Sequence, residues 1–136
     1  MKRLDYFKAI AELFAFKTIA DDMGNEYVLY QNSAIDSISG IEDKTAFEAL
    51  ENHVHLLERV KPSEFDFLAE IGANLGRALL ASLKFTFPEK SFFVFVTISS
   101  GDSFIIRFHQ KWENEVPYID LAWVRSSRER VFGFEA

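Results

Sequence analysis

The chain has 136 residues, 49% of them hydrophobic and 26% charged, which fits one folded domain spanning residues 1–136 and excludes a disordered or fibrous protein. Its 15 phenylalanines supply large apolar side chains for a core, or for a core and a contact surface. A net charge of -6 argues against a protein that coats nucleic-acid phosphates, and the absence of cysteine excludes disulfides and thiolate chemistry.

No apolar stretch predicts export or insertion into a membrane. Asp5, Lys8 and Glu12 interrupt the N-terminal residues, so an uninterrupted signal-peptide core is absent. The longest apolar run, residues 92–98, is far shorter than the roughly 20 residues that span a bilayer. We therefore expect a cytoplasmic protein, with neither nucleic acid nor a membrane among its partners.

The first third of the chain predicts one helix and two short strands. Apolar residues between positions 4 and 16 recur at helical spacing and predict an amphipathic helix. Residues 21–25 are rich in turn-forming side chains, and residues 27–30 after them predict a strand. Alternation over residues 34–39 predicts a second strand that forms a hairpin with the first.

Two helices are predicted in the middle third. Thr45 and Glu48 have the spacing of a capping box, and apolar positions continue this helix to about residue 59. Pro62 precedes a second helical pattern, which predicts a longer helix ending near Phe85. Small residues in that helix would let another backbone approach closely, so we expect a tightly packed neighbour there. These small residues are Ala69, Gly72, Ala73, Gly76 and Ala78.

The last third predicts strands. Residues 92–98 are apolar on both faces and residues 104–110 alternate, so the two segments predict a β-hairpin. Residues 118–124 alternate again, and residues 131–134 are expected to close the sheet. The predicted fold is α+β, a mainly antiparallel sheet of about four to six strands with three helices packed on one face, in the order α-β-β-α-α-β-β-β-β.

Residues 92–96 raise the question of what covers the sheet. One layer of helices can bury only one face, yet both faces of this segment are apolar. We therefore expect a second layer or a second copy of the chain on the far face, and the second copy would make a homodimer.

Three histidines are candidates for chemistry: His53, His55 and His109. Two positions along a helix lie about 200° apart, so His53 and His55 on the predicted helix would not share an ion, and we predict no metal site. The sequence also lacks a Gly-rich phosphate loop and the motifs of zinc proteases and serine hydrolases. We predict no catalytic residue and no cofactor.

Residues 108–118 form the most unusual stretch, because His, Trp, two Glu and Tyr follow a predicted strand closely. A functional interpretation makes His109 or Glu113 an acid or base and Trp112 a stacking surface. A structural interpretation makes the stretch a charged loop in which Trp112 covers the edge of the core. The candidate contacts with a ligand or partner are His53, Arg107, His109, Trp112, Glu113 and Tyr118.

Negative charge is concentrated in one region. Residues 21–70 hold 12 Asp and Glu against 3 Lys and Arg. This predicts either a surface that steers a basic partner or a solvated face stabilised by helix N-termini. Arg125, Arg128 and Arg130 form a smaller basic cluster, which we expect in an exposed turn.

Two classes of function stay open at this point. The first, which we favour, is a non-enzymatic, acidic, cytoplasmic protein-interaction domain that uses an aromatic patch with an acidic rim. It would act as a toxin-neutralising immunity-type protein or as a homodimeric binding module. The second is a small ligand-binding protein or enzyme with a polar pocket around His109 and Glu113.

Overall fold

A computed structural model describes residues 2–123 and 128–136. Within these ranges, three α-helices and two antiparallel sheets, of two and four strands, form an α+β fold, which confirms the predicted class. No helix in the same ranges is long and apolar enough to cross a membrane. The helices are α1 (Lys2–Glu12), α2 (Lys44–Glu51) and α3 (Phe65–Thr86). The strands are β1 (Phe16–Ala20), β2 (Glu26–Tyr30), β3 (His53–Leu57), β4 (Phe92–Ser99), β5 (Phe104–Gln110) and β6 (Glu129–Glu135).

The larger sheet has the strand order β3-β5-β4-β6, and its core lies under α3. We call the face that carries Val94 and Val96 the inner face, and the face that carries Phe93 and Phe95 the outer face. The small residues of α3 face the inner side: a Cβ on Gly76 would lie 2.5 Å from the ring of Phe134 and 3.0 Å from Val96. The tightly packed neighbour predicted for this helix is therefore the sheet itself.

The predicted hairpin of residues 92–98 and 104–110 is confirmed as β4 and β5, and the predicted closing strand is confirmed as β6. The strand predicted at residues 118–124 does not occur over residues 118–123. Residues 121–123 form a single turn of 3-10 helix, no strand includes residues 118–120, and Val124 lies outside the described residues. This segment passes over the outer face instead of pairing in the sheet.

The N-terminal prediction is partly wrong. The helix ends at Glu12, and Phe16 begins a strand that pairs with β2, with Phe16 opposite Tyr30 and Ala20 opposite Glu26. Residues 34–39 form no strand, so the hairpin partner of β2 precedes it in the chain instead of following it. The predicted turn is confirmed, because the Asp21 carboxylate accepts hydrogen bonds from backbone N–H groups within it. Ring contacts of Phe16 and Tyr30 with Phe108 hold the hairpin on the inner face.

The second predicted helix ends eight residues early. α2 stops at Glu51, and residues 53–57 form β3, which pairs with β5. The sequence of β3 alternates polar and apolar side chains, a period of two that also fits a strand, and pairing to β5 half-buries Val54. The predicted cap is also wrong, because Asp43 is the N-cap and its carboxylate accepts from the Ala46 N–H at 2.9 Å.

Candidate functional site

Residues 111–123, which we call the crossing segment, lie over part of the outer face. The Tyr118 N–H donates to Nε2 of His109 on β5 at 3.1 Å. Farther along, a Cβ on Gly133 of β6 would lie 2.8 Å from Leu121. The chain thus supplies part of the second layer that residues 92–96 require, and Phe95 is buried. A homodimer stays a prediction, but these residues no longer demand one.

His109 is a structural anchor in this arrangement. It is buried, its ring lies against Phe93 and Phe95, and its Nδ1 is 2.7 Å from the carbonyl oxygen of Gln110. Since Nε2 accepts from the Tyr118 N–H, the ring is neutral with its proton on Nδ1. Burial lowers the pKa of His109, which keeps the ring neutral, while its hydrogen bond and the charge of Glu115 oppose this effect in part.

Glu115 fastens the crossing segment to the start of α2. Its carboxylate accepts from the Thr45 N–H at 2.7 Å and from the Lys44 N–H at 3.3 Å, and it lies 3.7 Å from the Lys44 ammonium. Partial burial alone would raise the pKa of Glu115, but these hydrogen bonds and the Lys44 charge lower it. A negative side chain at a helix N-terminus satisfies N–H groups that have no partner within the helix.

α2 also joins the two sheets through Glu48. This carboxylate is fully buried and accepts from the Val28 N–H of β2 at 2.9 Å and from the Gln110 N–H of β5 at 2.8 Å. The Gln110 side-chain amide and the Trp112 indole N–H complete a set of four donors, at 2.7 and 2.8 Å. Burial raises the pKa of the Glu48 carboxyl, and the four hydrogen bonds oppose the rise.

Asn52, one turn after Glu48, extends the same junction. Its side chain accepts from the Tyr30 N–H at 3.1 Å and donates to the Val28 carbonyl at 2.8 Å, and its own backbone carbonyl accepts from the Phe108 N–H. Glu48 and Asn52 therefore hydrogen-bond to backbone groups of both β2 and β5 and connect the two sheets. We call the two residues the α2 clamp. Sequence reasoning missed it, although a polar pair spaced i, i+4 beside apolar positions was a visible signal.

An apolar cavity opens between the crossing segment, the outer face and β6. It has a volume of about 570 Å³, and we call it the outer groove. Most of its lining is apolar, whereas Asp120 and Glu135 are exposed carboxylates at its margin, and Glu135 forms an ion pair with Lys111 at 3.1 Å. The lining includes Phe93, Phe95, Val116, Pro117, Leu121 and Gly133.

The outer groove adjoins a second, more polar depression. Val116 and Pro117 line both, and the second, of about 530 Å³, also contains Glu42, Asp43 and Glu115. Two of these acids come from the acidic region of the sequence, residues 21–70. Asp43 and Glu115 already bond backbone N–H groups of α2, while Glu42 is exposed. Negative charge therefore borders the groove on this side.

The structure brings some of the predicted site residues together but not around the groove. Arg107 lies over the Tyr118 ring at 5.0 Å, and His53 stands opposite Arg107 in the strand pairing. Trp112 bonds to Glu48, and Glu113 is exposed. None of the six predicted contacts, His53, Arg107, His109, Trp112, Glu113 and Tyr118, is among the residues that line the outer groove.

His53 and His55 lie on a strand, which overturns the geometric reason for separating them. In β3 they share the outer face, and their ring centroids are 5.3 Å apart. Nδ1 of His53 is 2.6 Å from the Leu50 carbonyl oxygen, and His55 is 3.8 Å from Glu58. No group of three or more His, Cys, Asp or Glu that could hold a metal ion occurs within the described residues.

The C-terminal basic cluster is only partly described. Arg130 forms an ion pair with Asp66 at 3.5 Å and lies over the Phe65 ring. The carbonyl oxygen of Arg128 accepts from the Ser100 N–H, and Arg125 lies outside the described residues. The Asp66 partner neutralises one charge of this cluster.

Comparisons with protein-family models, with curated proteins and with solved structures found no match to this chain.

Proposed function

We propose that the protein is a non-enzymatic interaction domain that binds an apolar and basic segment of a protein partner in the outer groove. One observation carries the proposal: an apolar cavity lies on a sheet face and carries exposed Asp120 and Glu135 at its margin. Apolar burial would supply affinity, and the carboxylates would select a basic partner. In this proposal, Phe93 and Phe95 of the groove take the role of the aromatic patch, and Asp120 and Glu135 take the role of the acidic rim.

An enzyme centred on His109 has less support. Both ring nitrogens of His109 are engaged by backbone groups, and the ring is buried beneath the crossing segment. A general acid or base needs a nitrogen that can reach the substrate. Glu113, the suggested second group, is exposed and makes no side-chain hydrogen bond or ion pair within the described residues.

A small-molecule ligand is the second candidate, and the size of the groove favours it. Its volume of about 570 Å³ falls within the range of about 300–1,000 Å³ that is common for ligand pockets. The polar pocket proposed from the sequence around His109 and Glu113 would then give way to an apolar one beside it. The same cavity would take one apolar side chain of a partner or one apolar small molecule.

The immunity-type version of the proposal makes the partner a basic toxin in the cytoplasm. Its acidic residues would speed association with such a partner by electrostatic attraction. A toxin gene in the adjacent reading frame would support this version, and an operon of metabolic enzymes there would count against it.

A random-peptide phage library selected on the protein tests the interaction proposal. We expect enriched peptides to carry one bulky apolar residue flanked by Lys or Arg. Ala122 lines the groove and is exposed, so Ala122→Phe would fill the cavity without removing a core side chain. We expect this variant to weaken binding of the enriched peptides by about tenfold or more.

Two controls sharpen the result. The pair Asp120→Asn and Glu135→Gln should weaken binding by a smaller factor and reduce its salt dependence, because it removes the rim carboxylates and releases Lys111 from Glu135 without changing the apolar lining. Phe85→Ser removes an apolar side chain that is 90% exposed at the far end of α3 and should leave binding unchanged. Enriched peptides without basic residues, or peptides that bind the Ala122→Phe variant equally well, would overturn the proposal.

A further inference from the structure

β6 is an edge strand whose second side is open in the described part of the chain. The strand order places β6 at one end of the larger sheet, and it pairs with β4 alone. The opposite edge, β3, is shorter, has an irregularity between His55 and Leu57, and packs against α1. Edge strands in natural proteins are commonly protected by irregular pairing or by cover. β6 has seven regularly paired residues, and no strand in residues 2–123 or 128–136 pairs with its second side.

The hydrogen-bond pattern shows which groups of β6 point away from β4. Phe92 and Ala136 exchange both of their backbone hydrogen bonds, at 2.7 and 3.2 Å. Because antiparallel pairing alternates, Phe132 and Phe134 also bond to β4, whereas the N–H and C=O groups of Val131 and Gly133 point outward. Gly133 is exposed.

The open edge of β6 borders the outer groove. Gly133 and Glu135 line the groove, and both lie on the outer face. Gly133 has no side chain of its own, and Leu121 lies above it, 2.8 Å from where a Cβ would be. A large side chain opposite Gly133 on an added strand would therefore enter the cavity against Leu121. A backbone edge and a side-chain pocket thus lie next to each other, as peptide recognition by strand addition requires.

We propose that the partner segment binds as an extended strand added antiparallel to β6, with an apolar side chain opposite Gly133 inserted into the outer groove. This inference rests on the function proposed above and specifies how the segment binds. Backbone hydrogen bonds to Val131 and Gly133 position the segment, and the groove selects one side chain.

Charge selects the occupant. Glu129 and Glu135 carry carboxylates at the two ends of the outer face of β6, and Asp120 adds a third beside the groove. Lys111 pairs with Glu135 at 3.1 Å, so Glu129 and Asp120 are the carboxylates without a basic partner in the described residues. A segment with Lys or Arg opposite both ends of β6 complements Glu129 and Glu135. A second copy of this chain does not, since antiparallel pairing of all seven residues of β6 with themselves sets Glu129 opposite Glu135.

The test uses a capped heptapeptide, Lys-Thr-Phe-Thr-Val-Thr-Lys, whose Lys, Phe, Val and Lys side chains would lie on the outer face. In the isotope-labelled full chain, we expect saturating peptide to slow hydrogen exchange of the Val131 and Gly133 amides by about tenfold or more. The Phe132 and Phe134 amides, already bonded to β4, should change much less. Equal effects on all four amides, or no effect on Val131 and Gly133, would overturn strand addition.

A change in the peptide backbone gives a second measurement that leaves the folding of the protein untouched. N-methylation of the peptide's Phe and Val removes the N–H groups that would donate to β6 and should weaken binding by about tenfold or more. N-methylation of the second and third Thr serves as the matched control and should change affinity little, because those N–H groups would face solvent. Equal loss in both series contradicts the strand geometry.

The result also separates this inference from the function on which it rests. Suppose library peptides bind in the groove and are lost in Ala122→Phe, but the amides of β6 gain no protection. Strand addition is then wrong, and the interaction domain stands. If neither the heptapeptide nor any library peptide binds, both proposals fail.

Discussion

Glu48 shows how one carboxylate can connect two sheets. All four of its hydrogen bonds come from N–H donors, two on each oxygen, and none comes from a group that could accept a proton. An ionised carboxylate suits these four donors, although burial opposes its charge. The residue was predicted as part of a capping box, because sequence spacing shows which groups are near along a helix but not which strands approach from elsewhere.

We expect Glu48→Gln to lower the free energy of unfolding at pH 7 by about 2–4 kcal/mol, because the amide would direct its own N–H groups at two donors. Urea denaturation measures the loss. Glu51→Gln changes an exposed residue of the same helix and should stay within about 0.5 kcal/mol of the parent protein. Equal stabilities for Glu48→Gln and Glu51→Gln would contradict this account of the clamp.

His109 makes stability depend on pH. Its pKa is lowered in the folded protein, so the unfolded chain takes up a proton first as the pH falls below the ordinary value of about 6.5. The contribution of the neutral ring is full above that pH and declines as the pH falls. His109→Phe keeps the ring contacts with Phe93 and Phe95 but cannot titrate.

We therefore expect the unfolding free energy of the parent protein to fall relative to that of His109→Phe as the pH is lowered from about 7.5 to about 5. Comparing the two proteins cancels the contribution of Glu48 and the other acids. Denaturation series at several pH values provide the measurement, and a difference that stays constant with pH would exclude this role for His109.

At the scale of elements, α3 was the most predictable part of the chain. Its long apolar stripe and its small residues belong to one helix, so neighbours in sequence carry the whole signal. β3 was the least predictable element, because its five residues fit both the helical period and the strand period. They form a strand because they pair with β5, about fifty residues later in the chain. β1 was missed for the same reason, because it forms only by pairing with β2 and by packing of the Phe16 ring against Phe108.

Gly76 tests the contact between α3 and the sheet. Alanine there gains about 1 kcal/mol in helix propensity, but its Cβ would lie 2.5 Å from the Phe134 ring and force repacking at about 1–3 kcal/mol. We expect a net loss in thermal stability for Gly76→Ala. Asn74→Ala, at an exposed position of the same helix, should be neutral or slightly stabilising. A Gly76→Ala variant more stable than the parent protein would disprove the tight contact.

At the scale of the whole molecule, the sequence predicted the fold class and the need to cover both faces of residues 92–96. It did not predict that the chain covers the second face with its own crossing segment. Phe93 and Phe95 were recognised as unusual, but the groove also needs Leu121 and Gly133, whose proximity depends on the tertiary structure. The sequence pointed to a polar pocket near His109, whereas the outer groove has an apolar lining that does not include His109. Polar residues stand out in a sequence, but an apolar lining is assembled from segments that are distant along the chain.

The crossing segment also bears on the thermodynamics of binding. Val116 and Pro117, which form one wall of the outer groove, lie between two anchors, the Glu115 carboxylate on α2 and the Tyr118 N–H on His109. The backbone of Val116 and Pro117 would therefore already be restricted before a partner binds against it. Little conformational entropy would then be lost on association, so even a short segment could bind with useful affinity.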